Sequence, residues 1–226
     1  MLTLLFWQCS ILGVLTRHDS PIVIERPPNR VEFDDLLMEY NRDEGPTTNV
    51  SVNVFLTVNA AGLFGEVLRT SITMDQTWTD MRLSFQGVSE VPLPNNVMTW
   101  HPDTVVLNAL RSEIKLTSSF LNFDGTVRRR QLLLVEVLCD EPLSNVTNPN
   151  VLECPLQLSS FSNRGCDEIG YTIEKINIDR VARISSATEI KETLDDHLNR
   201  TSLLAAAILY LEKPRRLIHN VIDKSA

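Results

Sequence analysis

The octapeptide Trp78-Thr-Asp-Met-Arg-Leu-Ser-Phe85 and the tetrapeptide Trp100-His-Pro-Asp103 carry most of the architectural information in this chain. Each tryptophan is a large apolar group with a single N–H, which suits the core or the edge of a β-sandwich. We predict that Asp80, Arg82 and Asp103 form a partly buried ion-pair network, because charges in such positions are usually paired. We therefore assign a structural role at the ends of strands to six motif residues: Trp78, Asp80, Arg82, Trp100, Pro102 and Asp103.

Apolar and polar residues alternate on both sides of these motifs, with the period of β-strands. The clearest run is Val50-Ser-Val-Asn-Val-Phe-Leu-Thr-Val58, which is typical of a half-buried strand. Turn signals such as Asp124-Gly125 separate the other strand-like runs, which lie at 67–73, 81–85, 105–107, 131–138, 156–161, 173–184 and 203–211. Many short strands without an internal repeat predict one all-β domain, an immunoglobulin-like antiparallel β-sandwich.

One α-helix is predicted before the first strand. Asn29 is a plausible N-cap residue, and the Gly45-Pro46 pair is expected to end the helix. Its apolar residues fall at helical spacing: Phe33, Leu36, Leu37 and Tyr40.

Composition and charge exclude several classes of function. The chain has 226 residues, of which 22% are charged, and its formal net charge is −8. Such a chain is not expected to coat nucleic acid, which needs a basic face to displace counterions. It has no nucleophile elbow, P-loop, dinucleotide turn or HExxH, so we predict no enzyme and no cofactor. We predict no metal site either, since Asp195-Asp196-His197 reads as a solvated turn whose adjacent residues converge poorly on one ion.

The N-terminal residues are mostly apolar. Residues 1–16 are too few to cross a bilayer, which takes roughly 20 apolar residues. We interpret them as a secretory signal peptide, and a buried N-terminal strand is the alternative. Sequons at Asn49, Asn145 and Asn199 agree with a secreted, extracellular glycoprotein. The folded domain is then predicted to span residues 17–212, and no later apolar stretch is long enough to span a membrane.

Three motifs in register resemble the extracellular ligand-binding domain of the Cys-loop receptor family. Residues 78–85 resemble its W-x-D-x-R-L-x-W/F strand, and residues 100–108 resemble its W-x-P-D-x-x-x-x-N motif. The third motif is the Asp124-Gly125 turn followed by Cys139 and Cys154, which resembles the signature disulfide loop. The resemblance covers residues 30 to 222 and implies the family's β-sandwich with an N-terminal helix.

Within the family, the chain is most similar to the soluble acetylcholine-binding proteins, which are secreted pentamers of the ligand-binding domain alone. The resemblance implies a homopentamer with a small-molecule site between subunits and no membrane span in this chain. Residues 213–226 resemble the segment that leads into the first membrane helix of the channels. Two alternatives stay open: the extracellular domain of an orphan pentameric ligand-gated channel subunit, and a structural ring protein that has lost ligand binding.

The resemblance also implies a disulfide bond between Cys139 and Cys154. On chain-entropy grounds such a bond stabilises the fold by about 3 kcal/mol. The enclosed loop is polar and contains the sequon at Asn145, which favours a soluble protein because in channels this loop rests on membrane helices. The family pattern does not assign Cys166, which is expected to be a buried free thiol or to link subunits.

An aromatic box at the subunit interface holds quaternary ammonium ligands in this family, through cation–π attraction. Aligned through the motifs, three box positions fall on Leu107, Phe161 and Thr73, so one aromatic residue remains. The hairpin near residues 185–200 lacks the usual adjacent Cys pair and has no aromatic residue. This degenerate box does not favour classical acetylcholine binding.

On the opposing wall of the box, two usually apolar positions fall on Arg128 and Arg130. They alternate on one strand, so both side chains are expected to point the same way. Their charge would repel a cation, and a ligand in this pocket is expected to be an anion held in fork geometry, such as a carboxylate or sulfate. The alternative is that Arg128, Arg129 and Arg130 form salt bridges with a neighbouring subunit.

Overall fold

The structure, a computed structural model, describes residues 31–87, 89–140, 151–179, 184–195 and 201–212. These residues contain one short helix and ten strands: α1 (Phe33–Leu36), β1 (Asn49–Phe64), β2 (Val67–Thr79), β3 (Val91–Leu93), β4 (Thr104–Val106), β5 (Ala109–Leu121), β6 (Thr126–Leu138), β7 (Val151–Ser160), β8 (Glu168–Ile178), β9 (Ile184–Asp195) and β10 (Thr201–Glu212). The predicted signal peptide, the sequons at Asn145 and Asn199, and the C-terminal tail lie outside the described residues.

The strands form two sheets, which confirms the predicted all-β sandwich. One sheet has six strands in the order β3-β5-β6-β2-β1-β8, and the other has four in the order β4-β7-β10-β9. Among the described strands, neighbours pair antiparallel with one exception, the parallel pair of β1 and β8. Parallel strands need a long crossover connection, and these two are far apart in the chain.

The core lies between the two sheets and contains the alternation predicted for β1. Every second residue from Val50 to Val58 is at most 5% exposed. Burial of one such aliphatic side chain contributes roughly 1.5–3 kcal/mol. Both motif tryptophans join the same cluster, where the rings of Trp78 and Trp100 meet edge to face with centroids 5.9 Å apart.

The N-terminal helix is shorter than predicted. It forms a single turn, Phe33–Leu36, and the backbone before Gly45-Pro46 is a series of turns and bends. Its N-cap residue is Glu32, which makes no side-chain cap hydrogen bond, and Asn29 lies outside the described residues. The apolar residues still pack as the spacing suggests, because Phe33, Leu36, Leu37 and Tyr40 all lie against the core.

The prediction of a strand at residues 81–85 is wrong. Residues Met81–Leu83 form a 3₁₀ turn, because the Asp80 carboxylate accepts the backbone N–H of Arg82 and so caps the turn. Gly125 makes this arrangement possible by a close approach. Its φ is +82°, and a Cβ atom there would lie 2.6 Å from the carbonyl oxygen of Asp80.

Strand β5 (Ala109–Leu121) was not predicted from the sequence. Most of its residues are exposed, so the apolar alternation that reveals a half-buried strand is missing. β5 pairs along one side with β6, but only its last residues, 119–121, pair with β3 on the other side. The predicted run 173–184 likewise divides, since β8 ends at Ile178 and β9 begins at Ile184. In the described ranges, no helix combines the length and apolarity that a membrane crossing requires.

Candidate ligand-binding site

Asp80 organises the first motif from a fully buried position. Its carboxylate accepts hydrogen bonds from Nε and Nη2 of Arg82, both at 2.8 Å, and from the hydroxyl of Tyr40 at 2.7 Å. The hydrogen bond to Asp80 raises the pKa of Arg82, and burial raises the pKa of Tyr40. The Tyr40 hydroxyl accepts the backbone N–H of Trp100 at 3.0 Å, so this cluster joins the two motifs.

Asp103 does not belong to that ion-pair network, contrary to the prediction of one network of three charges. Its carboxylate accepts from the hydroxyl of Ser160, from the hydroxyl of Ser162 at 2.5 Å and from the backbone N–H of Ser162 at 2.8 Å. Burial raises the pKa of Asp103, but these donors outweigh burial and leave that pKa below its ordinary value. Asp103 therefore fastens the loop after β7 to the loop before β4, and Pro102 beside it is buried.

Cys139 and Cys154 form a disulfide bond, with Cα atoms 4.2 Å apart. Next to it, Asp140 and Glu153 exchange backbone hydrogen bonds as an isolated β-bridge. The bond ties the end of β6, in one sheet, to β7 in the other. Cys166 is a half-buried free thiol among the described residues, and burial raises its pKa.

The residues predicted to form the interface pocket are divided between the two sheets. Leu107 and Phe161 follow β4 and β7 in the four-stranded sheet, and both are exposed, at 51% and 79%. Thr73 lies on β2 of the six-stranded sheet, where its hydroxyl accepts the side-chain amide of Asn59 at 2.8 Å. Arg128 and Arg130 lie on β6 of that same sheet. One chain thus carries two separate groups of these residues, one in each sheet.

Arg128 and Arg130 are paired inside the chain. Arg128 donates from Nε and Nη2 to both carboxylate oxygens of Glu90, at 2.8 and 2.7 Å. Arg130 grips Asp75 in the same forked geometry, at 2.7 and 3.0 Å. Those carboxylates raise the pKa of both arginines, and the Arg128 guanidinium also stacks over Phe120. The two arginines and two carboxylates are balanced in charge, and we call this group the outer network.

Arg129 differs from both neighbours, which the sequence reasoning missed. It lies on the side of β6 that carries the buried residues Val127 and Gln131. There it lines a cavity of about 380 Å³ together with Trp78 and His101. The period of two along β6 could have shown that Arg129 faces away from Arg128, but not which face is inside.

The described residues contain no group of His, Cys, Asp and Glu side chains that could hold a metal ion. Of the proposed turn Asp195-Asp196-His197, only Asp195 lies within the described residues, at the end of β9.

The described residues thus form a two-sheet β-sandwich whose sheets are joined by a disulfide bond. Residues 30–204 match the family described as "Neurotransmitter-gated ion-channel ligand binding domain". The match covers more than half of the chain, and the protein belongs to this family. The resemblance drawn from the tryptophan motifs is therefore confirmed.

Individual relatives come from two receptor types. The acetylcholine receptor subunit alpha-like of Manduca sexta is 28% identical over 123 residues, which are 48% of this chain and 24% of that protein. The gamma-aminobutyric acid receptor subunit alpha-6 of Gallus gallus is 32% identical over 145 residues, 58% of this chain and 30% of that protein. The acetylcholine receptor subunit alpha-type unc-38 of Caenorhabditis elegans is 27% identical over 122 residues, 47% of this chain and 24% of that protein. The chain thus matches between 24% and 30% of the length of these relatives.

Proposed function

We propose that this chain is a secreted, ring-forming protein similar to the acetylcholine-binding proteins, a homopentamer whose interface pocket does not bind acetylcholine. Family membership supports the ring, since the resemblance implies that binding sites form between subunits. The exposed side chain of Asn49 at the start of β1 is compatible with glycosylation of its sequon. The outer network is the observation that carries the proposal on ligand binding.

The aromatic box has too few aromatic side chains to hold a quaternary ammonium ligand. Cation–π binding of a quaternary ammonium group needs several aromatic faces around the cation. Of the three aligned positions described here, Leu107 and Thr73 offer none, and Phe161 alone offers one. A single exposed ring contributes about 0.5–1 kcal/mol to cation binding, too little for a transmitter site.

The opposing wall of the pocket does not favour a small anion either. A free pair of arginines would attract an anion, but both guanidinium forks already hold carboxylates of the same chain. A ligand carboxylate would have to displace Asp75 or Glu90, which are tethered and so compete at high effective concentration. The outer network therefore favours a wall that stiffens the subunit surface over one that grips a small ion.

The first test is the native mass of the purified protein, measured by multi-angle light scattering. We expect five copies of the 25.6 kDa chain, apart from removed signal residues and added glycans. A monomer at micromolar concentration would overturn the proposal, because the pocket exists only between subunits. Recovery of the protein from the culture medium, with glycans that an amidase removes, tests secretion.

The second test is isothermal titration with acetylcholine, nicotine and gamma-aminobutyrate. We expect no saturable heat from any of them, and micromolar binding of acetylcholine would contradict our account of the box. A Leu107→Tyr, Thr73→Trp double variant should gain affinity for quaternary ammonium, because it restores aromatic faces. Leu138→Tyr is the control, since it adds a ring at an exposed leucine outside the box.

A second candidate is the extracellular domain of a ligand-gated channel subunit. The observation that favours it is that the relatives are named receptor subunits and extend well beyond the matched region. Sequencing of the complete transcript distinguishes the two. Downstream apolar spans would establish the channel and overturn the soluble protein.

A further inference from the structure

The cavity beside Arg129 is a second candidate site, separate from the interface pocket. It lies beneath the loop between β3 and β4, and β5 and β6 form its floor. Because successive residues of a strand face opposite sides, it opens on the face of β6 that Arg128 and Arg130 do not share. None of the described residues that line it is acidic, although the chain as a whole carries a net charge of −8.

Arg129 has no carboxylate partner among the described residues, and its buried Nε atom lacks a hydrogen-bond acceptor. Gln76 lies directly opposite in the register of β2 and β6, but its amide is engaged. It donates to Gln131 at 3.0 Å and accepts from the hydroxyl of Thr104 at 2.5 Å. A guanidinium does not deprotonate in proteins, so the buried Nε–H of this partly buried side chain requires an acceptor.

Trp78, which also lines this cavity, has a second donor without a partner among the described residues. The side chain is 3% exposed, and its indole Nε1 is buried without an acceptor. The neighbouring indole of Trp100 shows the ordinary outcome, since it donates to the carbonyl of Arg164 at 2.8 Å. Nearly all buried donors in proteins are paired, so two orphaned N–H groups on one cavity point to a missing acceptor.

Further positive charge lies around this cavity. Arg42 and Arg164 also line it, and they share one carboxylate, that of Asp43, at 4.0 and 2.9 Å. The other walls include apolar side chains of Leu93 and Val97. The cavity thus combines unbalanced positive charge with apolar surface, which suits a ligand with an anionic head and a short hydrocarbon body.

We infer that this cavity binds a small organic carboxylate, with its oxygens accepting from Arg129 and Trp78 and its hydrocarbon body against Leu93 and Val97. The carboxylate satisfies both orphaned donors and neutralises the unpaired guanidinium. The cavity has a volume of about 380 Å³, which is larger than an inorganic ion needs. This inference does not depend on the proposed function, because every residue it uses belongs to one chain.

The test is titration of the purified full chain with sodium hexanoate in a buffer low in chloride, followed by calorimetry. We expect saturable binding, weakened about tenfold or more in Arg129→Gln through loss of the charge-assisted hydrogen bond. Trp78→Phe keeps most of the ring but removes the donor and should bind several-fold more weakly. Arg128→Gln is the matched control on the same strand, and it should bind hexanoate as the unchanged protein does.

Hexanoate binding that survives Arg129→Gln unchanged would overturn the inference, and so would equal affinity for sulfate or chloride, which would show a simple anion site. NMR of the unsubstituted protein keeps the test decisive if a variant does not fold. Hexanoate should shift the indole N–H resonance of Trp78 and not that of Trp100, and an unmoved Trp78 signal contradicts the site. The mass measurement and acetylcholine titration bear on the proposed function alone, so the two can fail separately.

Discussion

Three consecutive arginines on β6 lie in two different environments, because the middle one is on the other face of the strand. Arg128 and Arg130 face outward and hold Glu90 and Asp75 in forked hydrogen bonds. Arg129 lies on the face of β6 that carries the buried residues, and within the described part of the chain its buried Nε has no acceptor. The comparison shows that residue type does not decide the role of a charge in a strand; the face and the available partner do.

The largest change in stability is expected when Arg82, a partly buried arginine with a carboxylate partner, loses that partner. Asp80→Asn removes a fully buried carboxylate that accepts from Arg82 and Tyr40. We expect a loss of roughly 3 kcal/mol in the free energy of unfolding, at the low end for a broken buried ion pair because Arg82 is partly exposed. Urea unfolding measures it. Asp75→Asn, which breaks an exposed pair, should cost less than about 1 kcal/mol.

Arg129 and Arg128 should respond to methionine with opposite signs. Arg129→Met removes an unpaired, partly buried charge and keeps a side chain of similar volume. In the absence of a carboxylate ligand, we therefore expect a gain of about 1 kcal/mol in the free energy of unfolding. Arg128→Met breaks the fork on Glu90 and should lose up to about 1 kcal/mol. Thermal unfolding in a buffer without organic acids measures both. Equal losses in the two variants would show that Arg129 has a partner after all.

The outer network can be tested by exchanging its charges. Asp75→Arg, Arg130→Asp recreates the pair in reverse, so we expect it to recover most of the roughly 0.5 kcal/mol lost by either single substitution. Such recovery without a change in native mass indicates that the pair acts within the chain. A double variant that loses the proposed ring would show instead that these charges contact a neighbouring subunit. Urea unfolding and native mass are measured together.

The smallest effect concerns His101, which lines the same cavity as Arg129. Burial is the main cause that holds the pKa of His101 below its ordinary value, and the charges of Arg129 and Arg164 lower it further. The backbone of Pro102 and the charge of Asp103 oppose this shift. Arg129→Met should raise that pKa toward the usual value of about 6.5, while Arg128→Met should leave it unchanged. An NMR titration of the imidazole follows it.

The sign of the resulting pH dependence follows from proton binding. The folded chain holds His101 neutral at pH values where the unfolded chain protonates it, so its contribution to stability falls as pH drops through about 6.5. Arg129→Met should reduce this acid-side loss. A stability profile between neutral and mildly acidic pH that is identical in the two methionine variants would contradict the coupling.

Local periodicity predicted much of the fold. The alternation Val50–Val58 identifies β1, and the tryptophan motifs led correctly to the family and to the Cys139–Cys154 disulfide. The failures have physical causes. Residues 81–85 turn because of the Asp80 cap, a contact that outweighs β propensity, and β5 lacks alternation because most of it is exposed.

The sequence predicts residues for the candidate site, but it does not show which partners its charged side chains have. The sequence alone determined that the chain is an acidic β-sandwich of this family, and it predicts one aromatic residue at three box positions with two arginines on the opposing wall. Only the tertiary structure decided that Arg130 holds Asp75, 55 residues away, and that Nε of Arg129 has no acceptor among the described residues. Local patterns follow from backbone geometry and hydrophobic period, whereas the partner of a charge depends on which distant strands the fold brings within hydrogen-bonding distance.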